Sequence, residues 1–160
     1  GLSLPLVYNT GGYDSPEALS LLDGVVDIYM PDMKYSDAHT ARQLSGVGGY
    51  PEVNRSAIRE MHRQVGDLAL DENGLALRGL LVRHLVLPGG LAGTQEVVRF
   101  LAEEISPATY LNLMAQYRPA YLAREHPPLD RPLLPTEVQE ALDLALAAGL
   151  TRLDGRWRLG

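Results

Sequence analysis

The chain has 160 residues, 46% of them hydrophobic and 21% charged, which is enough for one globular domain and excludes a disordered composition. Its 20 acidic residues outnumber 14 lysines and arginines and give a net charge of −6, which argues against a nucleic-acid partner because phosphate binding needs a basic surface. The absence of cysteine excludes disulfides, thiolate metal sites and cysteine-ligated iron–sulfur clusters held by this chain.

Four short apolar or β-branched runs predict buried strands, because they lack the strict alternation of a strand with one face in water. They are Leu4–Asn9, Val25–Met30, Gly79–Leu87 and Thr109–Met114. The first run starts close to Gly1, which is not a methionine, so we expect the chain to begin inside a longer natural protein.

Helical signals lie between these runs. Ser15 and Pro16 predict the start of a first helix, which ends at Gly24. Ser36 predicts the cap of a second helix. Apolar residues at helical spacing predict a third helix from Pro51 onward. They are Val53, Ala57, Ile58, Met61 and Val65.

The third predicted helix also carries a regular row of basic residues. Arg55, Arg59 and Arg63 recur at every fourth position. With Glu52 and Glu60 beside them, the spacing favours a solvated face with ion pairs over a basic stripe that binds a partner.

A hairpin is expected ahead of the third strand. Asp71-Glu72-Asn73-Gly74 lies between two apolar triplets, and its Asn-Gly pair is typical of a hairpin turn. Residues 66–78 are therefore expected to form a small β-hairpin insertion. A helix with Val97 and Leu101 in its apolar stripe follows the third strand.

The last part of the chain is expected to be a loop, a helix and a tail. Residues 119–135 contain five prolines and predict an irregular loop without a helix of its own, of a length typical of a lid or a surface wrap. Thr136 and Glu137 open a capping-box sequence, so we expect a C-terminal helix that ends at Gly149 and a tail to residue 160.

The alternation of strands and helices predicts a parallel sheet with right-handed crossovers. Residues 1–160 should form one α/β domain of four parallel strands with flanking helices. Four strands are too few to close a barrel, so they suit either part of a TIM-like (β/α) barrel or an open doubly wound sheet. No apolar run approaches the roughly 20 residues that span a bilayer. No signal-peptide pattern opens the chain, so we expect a cytoplasmic protein without a membrane partner.

Both architectures bind ligands at the carboxyl ends of their strands. The predicted ends carry a carboxylate, basic groups, amides and hydroxyls, a mixture that suits a zwitterionic or hydroxyl-rich small molecule. The residues that supply these groups are Asn9, Thr10, Asp32, Lys34, Arg83, His84 and Tyr117.

Structural explanations remain open for the same residues. Residues 9–12 could form a plain turn, and Asp32 and Lys34 could pair with each other. Arg83 and His84 lie inside an apolar run, where either could be a structural residue with a buried partner. The four histidines share no spacing, so no histidine metal site is expected.

Four segments in this order resemble the later strands of radical S-adenosylmethionine proteins, and most closely those similar to pyruvate formate-lyase activating enzyme. The resemblance covers about residues 4–153. The segments are Val7–Gly11, Ile28–Lys34, Val82–Gly89 and Asn112–Tyr117.

The resemblance implies the C-terminal portion of a partial (β/α)6 barrel and a radical oxidoreductase or activase as the full-length protein. A [4Fe–4S] cluster held by a CxxxCxxC loop outside this chain would bind S-adenosylmethionine. Reductive cleavage would then give a 5′-deoxyadenosyl radical that abstracts hydrogen from a partner protein or small substrate. This chain would supply no catalytic residue and would be inactive alone.

The resemblance also assigns binding residues. The positions implied to bind the cofactor are Asn9, Thr10, Asp32, Lys34, Arg83, Leu85 and Tyr117. A site for a monovalent cation would involve Tyr8, Met30 and Asp32.

The chain departs from the family pattern in several places. Tyr8 stands where the family has an acidic residue, Tyr117 replaces a histidine, and Ala115 replaces a proline. The cluster-binding cysteines and the Gly-Gly-Glu segment of the preceding strand are absent from the chain.

Two other functions remain open. One is a non-catalytic α/β binding or assembly module that uses the proline-rich loop for a partner. The other is a doubly wound enzyme acting on a phosphorylated substrate, which is disfavoured because no strand leads into a glycine-rich phosphate loop. A partial barrel would leave two strand edges open, and these would self-associate unless another chain covers them.

Overall fold

Four parallel strands form the centre of the fold in the computed structural model, which describes residues 4–154. With a short antiparallel strand, the sheet has five strands in this region: Val7–Thr10 (β1), Ile28–Pro31 (β2), Ala69–Leu70 (β3), Ala76–Leu85 (β4) and Tyr110–Met114 (β5). β1, β2, β4 and β5 lie side by side in that order and are all parallel, whereas β3 runs antiparallel to β4. The predicted parallel sheet is confirmed.

The predicted hairpin is formed by β3 and the first residues of β4. Its turn closes through the Asp71 N–H, which donates to the Leu75 carbonyl at 2.8 Å, and the Gly74 N–H, which donates to the Asp71 carbonyl at 3.0 Å. The predicted boundary between the hairpin, residues 66–78, and the strand from Gly79 is wrong. The second arm of the hairpin continues without a break into β4, which begins at Ala76. Gly79 permits this continuity, since its φ is +122° and a Cβ there would lie 2.4 Å from the Asp67 carbonyl oxygen.

Residues 4–154 contain five α-helices. They are Pro16–Leu22 (α1), Ala38–Ser45 (α2), Tyr50–Val65 (α3), Thr94–Phe100 (α4) and Pro135–Ala147 (α5). The predicted cap of α1 is confirmed, because the Ser15 hydroxyl accepts from the Ala18 N–H at 3.2 Å. The cap of α2 is Asp37 rather than the predicted Ser36, since the Asp37 carboxylate accepts two N–H groups of the first turn. No helix of the described region is long and apolar enough to cross a membrane.

The start of α5 also differs from the prediction. Thr136, predicted as the cap, lies within the helix, and Leu134 takes the cap position. Pro135 fits the first helical position because its missing N–H would have no partner there. The predicted capping box is therefore shifted by two residues, and the side chain that reaches back is that of Glu137, which accepts from the Leu134 N–H at 2.8 Å.

The proline-rich segment between β5 and α5 is largely irregular, as predicted. It contains one short 3-10 helix, Tyr121–Glu125, which the prediction of a loop without a helix omitted. A π-helical turn, Leu101–Ile105, prolongs α4.

Two arginines of the basic row of α3 form ion pairs, as predicted, while Arg55 donates to the Ser36 carbonyl at 3.4 Å. Arg59 pairs with Glu104, and Arg63 pairs with Glu60 and Asp23 at 2.7 Å each. All of these side chains are at least partly exposed, so the row is a solvated face of the helix.

The two faces of the sheet are in different environments. One face is buried against α1, α3, α4 and α5 in the main hydrophobic core. Its strand residues are Tyr29, Leu80, Val82, Leu111 and Leu113. The residues that alternate with them lie outside this core, and several of them, such as Met30, Leu81 and Tyr110, are only half-buried. We call this second side the open face.

The chain after α5 returns to the sheet beside β5. Leu153 forms a parallel bridge with Leu111, whose N–H donates to the Arg152 carbonyl at 3.0 Å. The predicted C-terminal tail is therefore part of the sheet up to residue 154. Residues 155–160 of that tail lie outside the described residues, as do residues 1–3.

Neighbouring leucines of β4 test which face carries the core. Leu80→Ala should lower the free energy of unfolding by about 2–5 kcal/mol, because it empties a fully buried site. Leu81→Ala should lower it by less than about 1.5 kcal/mol, because that side chain stays half-exposed. Urea denaturation followed by circular dichroism measures both values. Equal losses would contradict the assignment of the two faces.

Candidate functional site

Polar side chains from three strands meet at the carboxyl end of the sheet. Arg83 Nε donates to Asp32 Oδ1 at 2.9 Å, and Arg83 Nη2 donates to Asn9 Oδ1 at 2.9 Å. The side chains of Arg83 and Asp32 are 24% and 20% exposed, so their ion pair is shielded but open to a ligand. We call Asn9, Asp32 and Arg83 the rim triad.

The strand register explains why these residues meet. Asp32 follows β2 directly and forms a parallel bridge with Arg83 of β4. Asn9 pairs with Met30, two residues before Asp32, so Asn9 and Asp32 share one face of the sheet. The rim triad therefore lies on the open face, at the end where the sequence predicts a binding site.

Lys34 does not pair with Asp32, which resolves one alternative left open by the sequence. The Asp32 carboxylate bonds to Arg83 instead. The Lys34 side chain is exposed, and no carboxylate of the described region forms an ion pair with its ammonium group. Lys34 is thus a cation available to an anionic ligand.

A cleft of about 280 Å³ lies next to the rim triad. It is lined by Asp32, Met33, Lys34, Tyr35, Leu85, Leu87 and Met114. The charged groups occupy one part of this lining, and thioether, aliphatic and aromatic side chains form the rest. Such a lining fits a small ligand with one polar end and one flat or apolar end.

Leu85 and Tyr117 lie in a second apolar cluster at the same end of the sheet. The buried members of this cluster are Leu87, Ala92 and Leu129. The Tyr117 hydroxyl donates to the Leu129 carbonyl at 2.7 Å, and burial raises the pKa of Tyr117. The proline-rich segment is thereby folded back over the strand ends.

Tyr8 and Thr10 are not placed with the rim triad. Both side chains lie on the other face of β1, where the Asp14 carboxylate accepts from Tyr8 at 3.0 Å and from Thr10 at 2.7 Å. The hydrogen bond to Asp14 raises the pKa of the Tyr8 hydroxyl. Met30 and Asp32 lie on the opposite face, so the side chains of the predicted cation site do not assemble.

No cluster of three or more acidic or histidine side chains suited to a metal ion is found in residues 4–154.

His84 is a buried structural residue, one of the alternatives the sequence left open. Burial lowers its pKa to about 4, so the ring is neutral at pH 7. One ring nitrogen lies 2.6 Å from the Met33 carbonyl and must donate to it. The other lies 3.0 Å from the Thr94 hydroxyl and accepts its proton. His84 thus fixes the loop that carries Asp32.

Two residues of α3 at the site were missed. Tyr50 lay outside the predicted helix, which began at Pro51, and the apolar pattern contained Val53 rather than Asn54. Asn54 is fully buried while Val53 is partly exposed. The spacing between Asn54 and Ala57 indicates that Asn54 lies on the buried face, because residues three apart share a helix face.

The chain matches no protein-family model. An uncharacterised protein of Methanocaldococcus jannaschii is 33% identical to it over 144 residues. The aligned region is 89% of this chain and 38% of the archaeal protein, so the chain spans less than two fifths of that relative's length.

His84 should make the protein less stable as the pH falls below 7. The unfolded chain takes up a proton near pH 6.5, whereas the folded chain does so only near pH 4, so acid favours unfolding in between. The loss between pH 7 and pH 4 should be about 3 kcal/mol. Urea titrations of wild type and His84→Gln at several pH values measure it. The variant should be less stable at pH 7 but show a flatter profile, and parallel profiles would contradict the assignment.

Proposed function

We propose that this chain forms one wall of a radical S-adenosylmethionine site in a longer protein resembling pyruvate formate-lyase activating enzyme. The observation that carries the proposal is the rim triad of Asn9, Asp32 and Arg83, which lies beside Lys34 and a small cleft. These are residues that the sequence resemblance assigns to cofactor binding. The substrate would be a partner protein or a small molecule.

The strand order supports a partial (β/α) barrel as the architecture. A doubly wound sheet reverses its strand order at a switch point and carries helices on both faces. Here β1, β2, β4, β5 and the bridge at Leu153 follow one another in chain order. The helices of the main core all cover one face, as the outer helices of a barrel do.

The residues at the site fit S-adenosylmethionine by their chemistry. Its carboxylate would pair with Lys34 or Arg83, since both are cations at the rim of the cleft. Its ammonium or ribose hydroxyls would donate to the Asp32 carboxylate. The adenine ring would lie against the apolar side chains of the cleft, such as Tyr35 and Leu85.

The chain cannot hold the iron–sulfur cluster, because it contains no cysteine. When bound to a reduced cluster, S-adenosylmethionine supplies a 5′-deoxyadenosyl radical that abstracts hydrogen. The part played by this chain is to bind and orient the cofactor, and the cluster ligands would come from the rest of the longer protein.

A non-catalytic binding or assembly module is the second candidate. The observation that favours it is the apolar edge beside β1, where Leu4, Leu6 and Val7 are 72%, 44% and 48% exposed. An exposed apolar strand edge is a site for association with another chain. This candidate predicts no affinity for S-adenosylmethionine.

The two candidates are separated by binding and turnover in the full-length gene product. After anaerobic iron reconstitution, isothermal titration with S-adenosylhomocysteine should show binding, and reduction in the presence of S-adenosylmethionine should yield 5′-deoxyadenosine. Lys34→Ala and Arg83→Gln should each weaken binding about tenfold or more, because each removes a charged hydrogen-bond donor.

Arg78→Gln is the matched control, because Arg78 belongs to the same strand but donates to the Gln64 carbonyl at its other end. It should leave the affinity within twofold of wild type. A reconstituted protein without cluster absorbance or without affinity for S-adenosylhomocysteine would reject the radical function and favour the assembly module.

A further inference from the structure

α3 reaches across the core to the strand ends through two side chains. Tyr50 and Asn54 lie one turn apart on the buried face of the helix. Their polar atoms bond only to backbone groups of two loops, the one after β1 and the one after β2. The loop after β2 carries Asp32 and Lys34, and the loop after β1 follows the strand end that carries Asn9.

The donors and acceptors around Tyr50 form a consistent set. Its hydroxyl oxygen accepts from the Lys34 N–H at 3.1 Å. The same hydroxyl lies 2.9 Å from the Gly11 carbonyl and 3.0 Å from the Asp32 carbonyl, and it has one proton to donate. Burial raises the pKa of Tyr50, so that proton is retained throughout the physiological range.

Asn54 supplies the remaining donors. Its Nδ2 donates to the Gly12 carbonyl at 2.9 Å and to the Asp32 carbonyl at 2.8 Å. The backbone carbonyl of Asp32 thus accepts from Asn54, so the Tyr50 hydroxyl can donate its one proton to the Gly11 carbonyl. The amide cannot turn over, because its oxygen would then face two carbonyl oxygens.

Fixing these loops leaves one group of Asn54 unsatisfied. Asn54 Oδ1 is buried and has no hydrogen-bond partner among residues 4–154. The close approach of the two loops also leaves no space for a side chain at Gly12. A Cβ there would lie 2.2 Å from Asn54 Nδ2 and 2.3 Å from the Asp32 carbonyl oxygen. An apolar residue at position 54 would pack in the core without leaving a buried polar atom unpaired. A buried polar side chain that is kept despite this cost is typical of a functional position.

We propose that Tyr50 and Asn54 are positioning residues, which hold the loops after β1 and β2 together so that Asn9, Asp32 and Lys34 present one binding surface. The inference rests on the proposed function for the identity of the ligand. The two side chains do not line the cleft, so they act on binding only through the backbone that they fix.

Tyr50→Phe in the full-length protein tests this role with little change of volume. It removes the acceptor of the Lys34 N–H, so hydrogen exchange at that amide should accelerate by about tenfold. The dissociation constant for S-adenosylhomocysteine should rise about fivefold to tenfold. Asn54→Leu, a second variant of similar size, should raise the dissociation constant as well.

Tyr29→Phe is the control for a purely structural loss. Tyr29 is fully buried, and its hydroxyl donates to Gln64 Oε1 at 2.6 Å in the core, away from the strand ends. It should lower the melting temperature as Tyr50→Phe does, yet leave the affinity within twofold of wild type.

The outcomes distinguish the two proposals. Wild type that binds S-adenosylhomocysteine while Tyr50→Phe binds within twofold of it would overturn the positioning role alone. Wild type that does not bind would overturn the proposed function, and the positioning role for that ligand would fall with it. Unchanged exchange at the Lys34 amide would show that Tyr50 does not hold the loop, whatever the ligand is.

Discussion

The parallel register between β2 and β4 is the constraint on which the site depends. It places Asp32 beside Arg83 and aligns both with Asn9 of β1. Side chains along a strand alternate between faces, so a slip of β2 by one residue would move Asp32 to the helix-covered face, away from Arg83. A half-buried carboxylate without its guanidinium partner would be unfavourable there, which ties correct pairing of the sheet to formation of the rim triad.

Much of the fold could be predicted from the sequence, because its strands, its hairpin turn and its longest helix each carry a local signal. Apolar runs bounded by Gly, Pro or charge marked the four parallel strands to within a few residues. The convergence of Asn9, Asp32 and Arg83 followed from topology, since the carboxyl ends of parallel strands share one edge.

The orientation of individual side chains could not be predicted. Alternation along β1 puts Tyr8 and Thr10 on the face opposite Asn9. Because strands that are apolar throughout show no period-two pattern, the sequence does not indicate which of these two sets lies on the open face. The partners of Asn54 could not be predicted either. The helical spacing indicates that Asn54 lies on the buried face of α3, but the carbonyls that it binds come from loops 22 and 42 residues away in the sequence. Only the assembled core brings those partners together.

The charge arrangement at the rim indicates which group would decide affinity. The Arg83 guanidinium already donates through Nε and Nη2 within the rim triad, so an anionic ligand would have to share or displace bonds that are present. The Lys34 ammonium has no such bond in residues 4–154, and its backbone is held by Tyr50. At the proposed site, an anion at Lys34 would gain an ion pair without breaking one, which would make Lys34 the main determinant of charge selectivity and Arg83 the residue that fixes the geometry around it.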